Sequence, residues 1–315
     1  MNNTAVDVII PVYKPDGKLE KLIDRLNNQS VTPGKIIFMQ TMLDDEENDR
    51  VKSILVKANN SEIHPVEAID FDHGGTRNKG ASLSSADYML FMTQDAVPVD
   101  NYLVEKLLAS FEKDSEVAVA YGRQIAGDDV GVIENYTREF NYPDRSIIKS
   151  AEDIETLGIK TFFCSNVCAM YKKAIYEQLG GFVTQTIFNE DMIMAASVID
   201  NGFKIAYAAD AVVVHAHKYT YRQQLSRNFD MAVSQEQYHE IFDRVKSESE
   251  GIKLVKDTSG YLVRTGRWYM VPDLIMQSGF KFIGYKLGRK YEKLPRKIVQ
   301  KISMNKRYWK EREDV

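Results

Sequence analysis

A short apolar run that is followed by a carboxylate constrains the fold of this chain most strongly. Tyr88–Met92 is a block of apolar and aromatic residues with the length of a strand that is buried on both faces. Such strands belong to parallel sheets covered by helices. Asp95 follows shortly after the run, and Pro98 cannot continue a central strand. Because ligands of open α/β sheets bind beyond the carboxyl ends of the strands, Asp95 is either a ligand-binding residue or a simple turn former.

Strand-like and helix-like segments alternate around this run, which predicts a mostly parallel sheet with helical crossovers. Helices are predicted after Asp16 and Asp100, where apolar residues recur at helical spacing. The polar stretch 127–158 is expected to be an irregular excursion with one helix near 133–140, and the chain beyond Tyr219 is expected to be helical. The predicted strands are Val6–Tyr13, Lys35–Gln40, Ala68–Phe71, Tyr88–Met92, Glu116–Tyr121, Phe203–Tyr207 and Ala211–Val214.

Composition argues for a folded protein of the cytoplasm. The 44% of hydrophobic and 27% of charged residues are ordinary for a globular chain, so disorder is not expected. The first residues lack the basic and apolar pattern of a secretory signal, and no run approaches the roughly 20 apolar residues of a spanning helix. The chain has 2 cysteines, Cys164 and Cys168, which are expected to be reduced and buried thiols.

Charge is concentrated near the end of the chain. The segment Lys281–Lys310 carries a net charge of +10, whereas the whole chain carries −4. Basic residues here flank an apolar helical stripe, and Trp268 and Trp309 add aromatic side chains. Basic amphipathic helices of this kind favour an anionic membrane surface. We favour contact with a membrane surface. Packing against another subunit or domain is the second interpretation, and binding of nucleic acid is the least favoured.

Two further segments contain residues that could bind a ligand or catalyse a reaction. In the glycine-rich segment Asp72–Ala81, Thr76 or Asn78 could begin a helix. The backbone amides there and the Arg77 guanidinium would suit a phosphate group. The alternative interpretation of this segment is a surface turn. Glu190 and Asp191 open an amphipathic helix, either as complements to the helix dipole or with one of them as a general base.

Two alternating histidines follow the last predicted strand. His215 and His217 lie on one face of the chain, where they could join Asp95 as metal ligands or simply end the strand. For His215 both interpretations stay open. For His217 we favour the structural one.

Taken in order, these segments resemble the family-2 inverting glycosyltransferases of the GT-A fold over roughly Val6–His217. The matching motifs are Ile9–Tyr13, His73–Asn78, Thr93–Ala96, Gly180–Phe182, Asn189–Asp191 and Val214–His215. The sequence Gln94-Asp95-Ala96 and the His73–Asn78 motif are most similar to bacterial rhamnosyltransferases that build cell-surface polysaccharides. The chain departs from the family at Gln40, where an Asp is common, and in having a single carboxylate in the metal motif.

The resemblance implies a role for each matching position. Asp191 would be the general base and Glu190 would position it or the acceptor; Asn166 and Glu190 would bind the acceptor. Asp95 and His215 would hold Mg²⁺ or Mn²⁺. The nucleotide-sugar donor would contact the residues Pro11, Val12, Tyr13, Gln40, Arg77, Gln94 and Asp95.

The implied activity is inverting transfer of L-rhamnose from dTDP-rhamnose to a polyprenyl-diphosphate-linked saccharide in cell-wall or capsule synthesis. Residues 1–217 would form the GT-A catalytic domain. Residues 218–315 would form a helical region that contacts the inner face of the cell membrane or forms a homodimer. No nucleic-acid partner is expected. The alternatives are a UDP-hexose donor and a non-catalytic sugar-nucleotide-binding protein; a nucleotidyltransferase would need a glycine-rich basic loop that Pro11–Pro15 does not provide.

Overall fold

A computed structural model describes residues 5–127, 130–245 and 248–310. Its strands are β1 Val6–Val12, β2 Ile36–Thr41, β3 Ser61–Val66, β4 Tyr88–Met92, β5 Val97–Pro98, β6 Val117–Ile125, β7 Ile147–Lys149, β8 Cys168–Lys172 and β9 Lys204–Val214. Its helices are α1 Lys18–Asn27, α2 Asp45–Leu55, α3 His73–Leu83, α4 Leu103–Lys113, α5 Val132–Asn141, α6 Ile154–Leu157, α7 Lys173–Gln178, α8 Glu190–Asp200, α9 Tyr221–Gln237, α10 His239–Phe242, α11 Glu248–Arg264, α12 Val271–Gly288, α13 Arg296–Ile302 and α14 Lys306–Lys310. Short 3-10 helices occupy Ala151–Asp153, Gly158–Phe162, Trp268–Met270 and Tyr291–Lys293.

The chain divides into two compact units. The first unit contains the described residues of Met1–Asp129, Asn141–Thr184 and Glu190–Ala216. The second unit contains those of Val130–Phe140, Gln185–Asn189 and His217–Val315. All the strands belong to the first unit, whereas the second unit is built from helices.

The sheet of the first unit has the strand order β3-β2-β1-β4-β8-β6-β9-β5, with β7 paired to β9. β3, β2, β1 and β4 run parallel, as the alternating pattern predicts. β8 runs antiparallel to both β4 and β6, while β6 and β9 are parallel. The expected α/β class with a largely parallel sheet is therefore confirmed, and β8 is the strand that reverses direction near the middle.

The predicted central strand, β4, lies in the interior of the sheet, as its apolar run predicts. Met89–Met92 of β4 are buried, and the Phe91 ring packs against Tyr171 and Phe182 with ring centroids 5.5 and 5.1 Å apart. β4 ends at Met92, so Asp95 follows its carboxyl end. This places the carboxylate at the edge of the sheet where parallel strands leave their ligand sites.

One predicted strand is wrong, and two other predicted strands form a single continuous strand. Ala68–Phe71 is not a strand; the third strand is Ser61–Val66, which pairs with β2 at the edge of the sheet. Pro65 is tolerated there because an edge strand needs fewer hydrogen-bond donors. The two strands predicted between Phe203 and Val214 form the single strand β9, whose pairing with β6 has a register shift between Gly122 and Arg123.

The region expected to be irregular is partly regular. Its predicted helix is present as α5, and it also contains the strand β7, which is too short to give a sequence pattern. Residues 128 and 129 of this region lie outside the described residues. The predicted helix start at Thr76 or Asn78 is also wrong, because α3 begins at His73.

The second unit is organised around a close contact between α9 and α12. A Cβ atom on Gly284 would lie 2.2 Å from the carbonyl oxygen of Leu225, and one on Gly288 would lie 2.3 Å from that of Phe229. The two glycines therefore allow the helix backbones to approach closely. Among the described residues, no helix combines the length and apolar character needed to span a membrane.

Candidate active site

The glycine-rich segment builds the start of α3. Asp72 caps this helix, and its Oδ2 accepts a hydrogen bond from Gly75 N at 2.6 Å. Gly74 is required by packing, because a Cβ atom there would lie 1.9 Å from the carbonyl oxygen of Val183. The Asp72 carboxylate takes the Gly75 amide and places a negative charge at the helix start. Binding of a phosphate by the other amides of this segment remains a prediction.

Asn78 ties this segment to the Gly180–Phe182 motif. Its Nδ2 donates to the carbonyl oxygen of Phe182 at 2.8 Å, and its Oδ1 accepts from Phe182 N at 3.0 Å. Gly181 has a positive φ of 73°, which favours glycine at this position. Two motifs that are about a hundred residues apart in the chain are thereby joined by a pair of hydrogen bonds.

Arg77 pairs with the first acid of α8. Its Nη1 lies 3.2 Å from Glu190 Oε1 and donates to the carbonyl oxygen of His73 at 3.0 Å. Both side chains are buried, and the Arg77 Nε atom has no hydrogen-bond partner among the described residues. These contacts hold the guanidinium beside the carboxylate, so its charge acts first on Glu190. The suggested contact of Arg77 with the donor diphosphate remains a prediction.

Asp191 differs from its neighbour in its surroundings and in its pKa. Its Oδ2 accepts from Asn166 N at 3.1 Å and its Oδ1 from Met192 N at 2.8 Å. The residue reaches solvent on one side, but protein atoms surround most of its carboxyl group. Burial and the adjacent Glu190 charge raise the pKa of Asp191 to about 7. A carboxyl group with such a pKa can accept a proton near neutral pH.

Glu190 shows the opposite shift. Burial opposes ionisation of this carboxyl group, but the charges of Arg77 and His73 outweigh it and hold the pKa of Glu190 below its usual value. Adjacent acids with opposite shifts are typical of sites where only one of them transfers protons.

Asp95 and His215 meet at the ends of β4 and β9. His215 Nε2 lies 3.6 Å from Asp95 Oδ2, and both side chains are largely buried. His215 Nδ1 lies 3.0 Å from Gln124 Oε1 of β6, and Gln124 Nε2 donates to Ser165 Oγ at 3.0 Å. With Gln124 in this orientation, Nδ1 of the imidazole faces an acceptor, and Nε2 is the nitrogen that faces Asp95.

A continuous set of contacts connects the two acids at positions 95 and 191. It runs from Asp95 through His215 and Gln124 to Ser165. The next residue along the chain, Asn166, donates its backbone N–H to Asp191. This path links the two carboxyl groups within the first unit, and their action on one substrate remains a prediction.

Gln94 and Tyr13 join the segments that follow β4 and β1. Gln94 Oε1 accepts from Tyr13 N, and Gln94 Nε2 donates to the Tyr13 carbonyl oxygen, each at 2.8 Å. The Tyr13 side chain is 51% exposed. Gln40 is buried at the end of β2, where its Nε2 is 3.4 Å from the carbonyl oxygen of Asn48. Pro11 and Val12 lie at the carboxyl end of β1, in or near the core.

The sequence analysis missed Gln124, Ser165 and Lys149. Gln124 lies beyond the predicted end of its strand, yet a polar residue near a strand's carboxyl end was the signal that identified Asp95. Lys149 is 2% exposed and donates to the carbonyl oxygens of Lys160 and Phe163, and burial lowers the pKa of Lys149 to about 7. It thus holds the backbone that leads to Ser165.

Comparison with known proteins identifies the family. The model of the family described as "Glycosyl transferase family 2" matches residues 7–180. The chain belongs to this family. It is therefore a family 2 glycosyltransferase, as the order of its motifs predicted, and its GT-A fold is confirmed.

Two curated relatives extend over nearly the whole chain. The O-antigen chain rhamnosyltransferase RfbN of Salmonella typhimurium (strain LT2) is 36% identical over 310 residues, which cover 96% of both chains. The O-antigen chain rhamnosyltransferase WbaN of Salmonella anatum is 35% identical over 309 residues, covering 96% of this chain and 95% of the relative.

Solved structures share the fold at low sequence identity. The mannosyltransferase PcManGT from Pyrobaculum calidifontis, solved with GDP-Man and Mn²⁺, has a TM-score of 0.63 at 12% identity and covers 92% of this chain and 88% of that one. S. aureus TarS 1–349, solved with UDP-GlcNAc, has a TM-score of 0.53 at 15% identity, covering 92% and 91%.

Proposed function

We propose that this enzyme transfers L-rhamnose from dTDP-rhamnose to a lipid-linked saccharide, with inversion at the anomeric carbon. The observation that supports the chemistry is the contact path from Asp95 to Asp191, which links the proposed cation ligands Asp95 and His215 to the proposed proton acceptor. The donor assignment is supported by the two O-antigen chain rhamnosyltransferases that match almost end to end.

Asp191 is the general base of the proposed reaction. The acceptor hydroxyl oxygen attacks the anomeric carbon while the bond from that carbon to the diphosphate oxygen breaks. The hydroxyl proton passes to Asp191, and the nucleoside diphosphate leaves from the opposite side. The pKa of about 7 keeps Asp191 basic enough to take this proton and still ionised in a useful fraction of molecules.

Glu190, Arg77 and Asn166 position the base. Glu190 remains ionised because Arg77 is beside it, and its charge helps to raise the pKa of Asp191. The backbone N–H of Asn166 fixes one carboxylate oxygen. Glu190 and the Asn166 side chain are also the proposed contacts to the acceptor sugar.

Asp95 and His215 would hold a divalent cation. Their facing atoms are a carboxylate oxygen and an imidazole nitrogen, which could ligate Mg²⁺ or Mn²⁺. When bound, the cation supplies charge that stabilises the departing diphosphate. Gln124 orients the His215 ring for this role.

The donor nucleotide is proposed to bind at the carboxyl ends of β1, β2 and β4. Pro11, Val12 and Gln40 line this edge, and Gln94 fixes the backbone beside the exposed Tyr13 ring. That ring offers an apolar face to the nucleobase.

The test is a comparison of donors with a synthetic lipid-linked acceptor. We expect turnover with dTDP-rhamnose and at least tenfold less with UDP-glucose, UDP-galactose or UDP-N-acetylglucosamine. Preferred consumption of a UDP-hexose would replace the donor assignment and keep the enzyme class. Absence of turnover with every donor, together with tight donor binding, would favour a non-catalytic sugar-nucleotide-binding protein.

We further propose that the second unit contacts an anionic membrane surface, which would bring the enzyme to a lipid-linked acceptor. α12 presents an exposed apolar stripe opposite the glycines that contact α9. The stripe consists of Ile275, Met276, Phe282 and Ile283, and Trp268 and Tyr269 are exposed just before the helix. The net charge of +10 over Lys281–Lys310 complements an anionic lipid surface.

Flotation with vesicles of phosphatidylglycerol and phosphatidylethanolamine tests this contact. Replacing Phe282 and Ile283 together by Ser is expected to reduce the floating fraction several-fold at low salt. Val56→Ser, which changes an exposed apolar residue of the first unit, is the matched control and should leave it unchanged. A stripe variant that binds vesicles normally but loses a dimer in light scattering would assign the surface to a second copy of the chain.

A further inference from the structure

The second unit contains a small polar cavity that has no part in the transfer step described above. Its volume is about 170 Å³, and it lies among residues of the second unit alone. The lining residues that matter here are Glu134 of α5, Tyr219, Gln224 of α9, Met270, and Asp273 and Gln277 of α12.

Gln224 is the residue that points to a ligand. It is 8% exposed and lines the cavity, and its carboxamide has no hydrogen-bond partner in the described part of the chain. Its amide atoms are not among the fully buried unpaired atoms of the described residues, so they are open to the cavity, where water or a ligand supplies their hydrogen bonds. A ligand that offers both a donor and an acceptor would satisfy it.

The other polar groups of the wall are fixed and have acceptor capacity left. Asp273 Oδ2 accepts from Gln277 Nε2 at 2.9 Å, and its Oδ1 accepts from the Tyr221 hydroxyl. Glu134 Oε1 accepts from Arg138 Nε at 3.0 Å. Each carboxylate can accept further hydrogen bonds from hydroxyl groups. His217 and Lys218 also line the cavity, and Lys218 offsets one of the two carboxylates, so the wall has no excess of positive charge to attract a phosphate or a nucleotide.

The apolar part of the wall and the size of the cavity complete the description of the ligand. The Tyr219 ring and the Met270 side chain give the cavity an apolar surface beside its polar groups. The volume equals about six water molecules of liquid, which is enough for one sugar ring and too small for a nucleotide. Planar amides, carboxylates and an aromatic ring together suit a neutral polyhydroxylated ring.

We propose that this cavity is a subsite for one neutral pyranose residue of the saccharide acceptor, and that Gln224 determines which sugar is accepted. This proposal rests on the proposed transfer to a saccharide. The attacking hydroxyl alone cannot distinguish one acceptor from another, whereas a buried amide that only the right sugar can satisfy discriminates strongly. Tyr219 follows the candidate metal ligand His215 by four residues in the chain.

The test compares two matched variants of the full chain. Gln224→Met keeps the side-chain length and removes the amide from the cavity. Gln235→Met makes the same change at another buried position of α9 that does not line the cavity. Binding of the methyl pyranosides of galactose, glucose, mannose and rhamnose is measured by saturation-transfer NMR without donor, with inorganic phosphate as a competitor. Acceptor KM, donor KM and Tm are measured in parallel.

We expect at least one pyranoside to bind the wild-type protein. Gln224→Met should weaken this binding about tenfold and raise the acceptor KM about tenfold. Donor KM should be unchanged in both variants, and Tm should not fall in Gln224→Met because no protein hydrogen bond is lost. Equal binding by wild type and Gln224→Met, no binding of any pyranoside, or displacement by phosphate would overturn the proposal. Because the NMR measurement needs no turnover, failure of rhamnosyl transfer with intact pyranoside binding would refute the donor assignment and leave the subsite in place.

Discussion

The carboxyl groups at the two ends of the candidate site have different neighbouring residues. At the end of β4, Asp95 faces the imidazole of His215, whose Nδ1 contacts Gln124 of the neighbouring strand. At the start of α8, Asp191 lies next to a second acid, Glu190, which Arg77 keeps ionised. A carboxylate beside a nitrogen ligand suits a cation, whereas a carboxyl group beside a fixed negative charge suits a proton. We propose that this difference in neighbours assigns leaving-group stabilisation to Asp95 and base catalysis to Asp191.

The largest expected effect is on the base. Asp191→Asn keeps the volume and removes the proton acceptor, so kcat should fall about 10²–10⁴-fold while donor affinity is unchanged. Steady-state kinetics and donor titration measure both quantities. Asp200→Asn, at the exposed far end of α8, is the control. Turnover near the wild-type level in Asp191→Asn would end the division of labour described here.

At the other end of the site, Asp95→Ala should act on donor binding. It should lower donor affinity in the presence of Mn²⁺ about 10²-fold, and chelator should then have no further effect. Calorimetric titration with and without EDTA measures this. Asp210→Ala, which removes an exposed acid of β9, should behave as wild type. If chelator leaves the donor affinity of the wild-type protein unchanged, Asp95 and His215 do not hold a cation.

Substitution of Gln124 should have a smaller effect, which again concerns cation binding by Asp95 and His215. Gln124→Leu removes the acceptor that faces His215 Nδ1, so Mn²⁺ affinity should fall about 10–100-fold, with kcat recovering at saturating Mn²⁺. Gln124→Glu keeps an oxygen acceptor toward Nδ1 and should retain most of the affinity. Loss of kcat that Mn²⁺ cannot restore in Gln124→Leu would indicate structural damage instead of misplaced imidazole.

The smallest expected effect is a shift in the pH profile. Because Asp191 must be ionised to act, kcat should rise with pH through about 7, the pKa to which burial and Glu190 raise it. Glu190→Gln removes the neighbouring negative charge, which should lower the pKa of Asp191 and move this limb to lower pH. The pH dependence of kcat for both proteins measures the shift. An unmoved limb in Glu190→Gln would show that the two acids are not coupled.

The sequence predicted the parts of the fold and site that depend on local pattern. The buried run Tyr88–Met92 identified the central strand, and the acids at the start of α8 were recognised as a candidate base. The order of motifs predicted the family. None of these required knowledge of long-range contacts.

What the sequence did not predict depends on contacts between distant segments. A surface turn was one interpretation of the glycine-rich segment, but Gly74 lies in α3, where the approach of the Val183 carbonyl group leaves no room for a Cβ atom. β3 was misplaced because its Pro65 is acceptable only at a sheet edge, which the sequence alone does not identify. Gln124 gained its role from pairing of β6 with β9, and the pairing of Arg77 with Glu190 joins residues far apart in the chain.

The central claim is that Asp95 and Asp191 act on one sugar from opposite sides. The anomeric configuration of the newly formed linkage tests it most directly, measured by NMR as the C1–H1 coupling constant of the product of a single transfer. We expect the configuration to be opposite to that of the sugar in the nucleotide donor, because in the proposed single displacement the acceptor attacks the face opposite to the departing diphosphate. Retention of the donor's configuration would contradict the account.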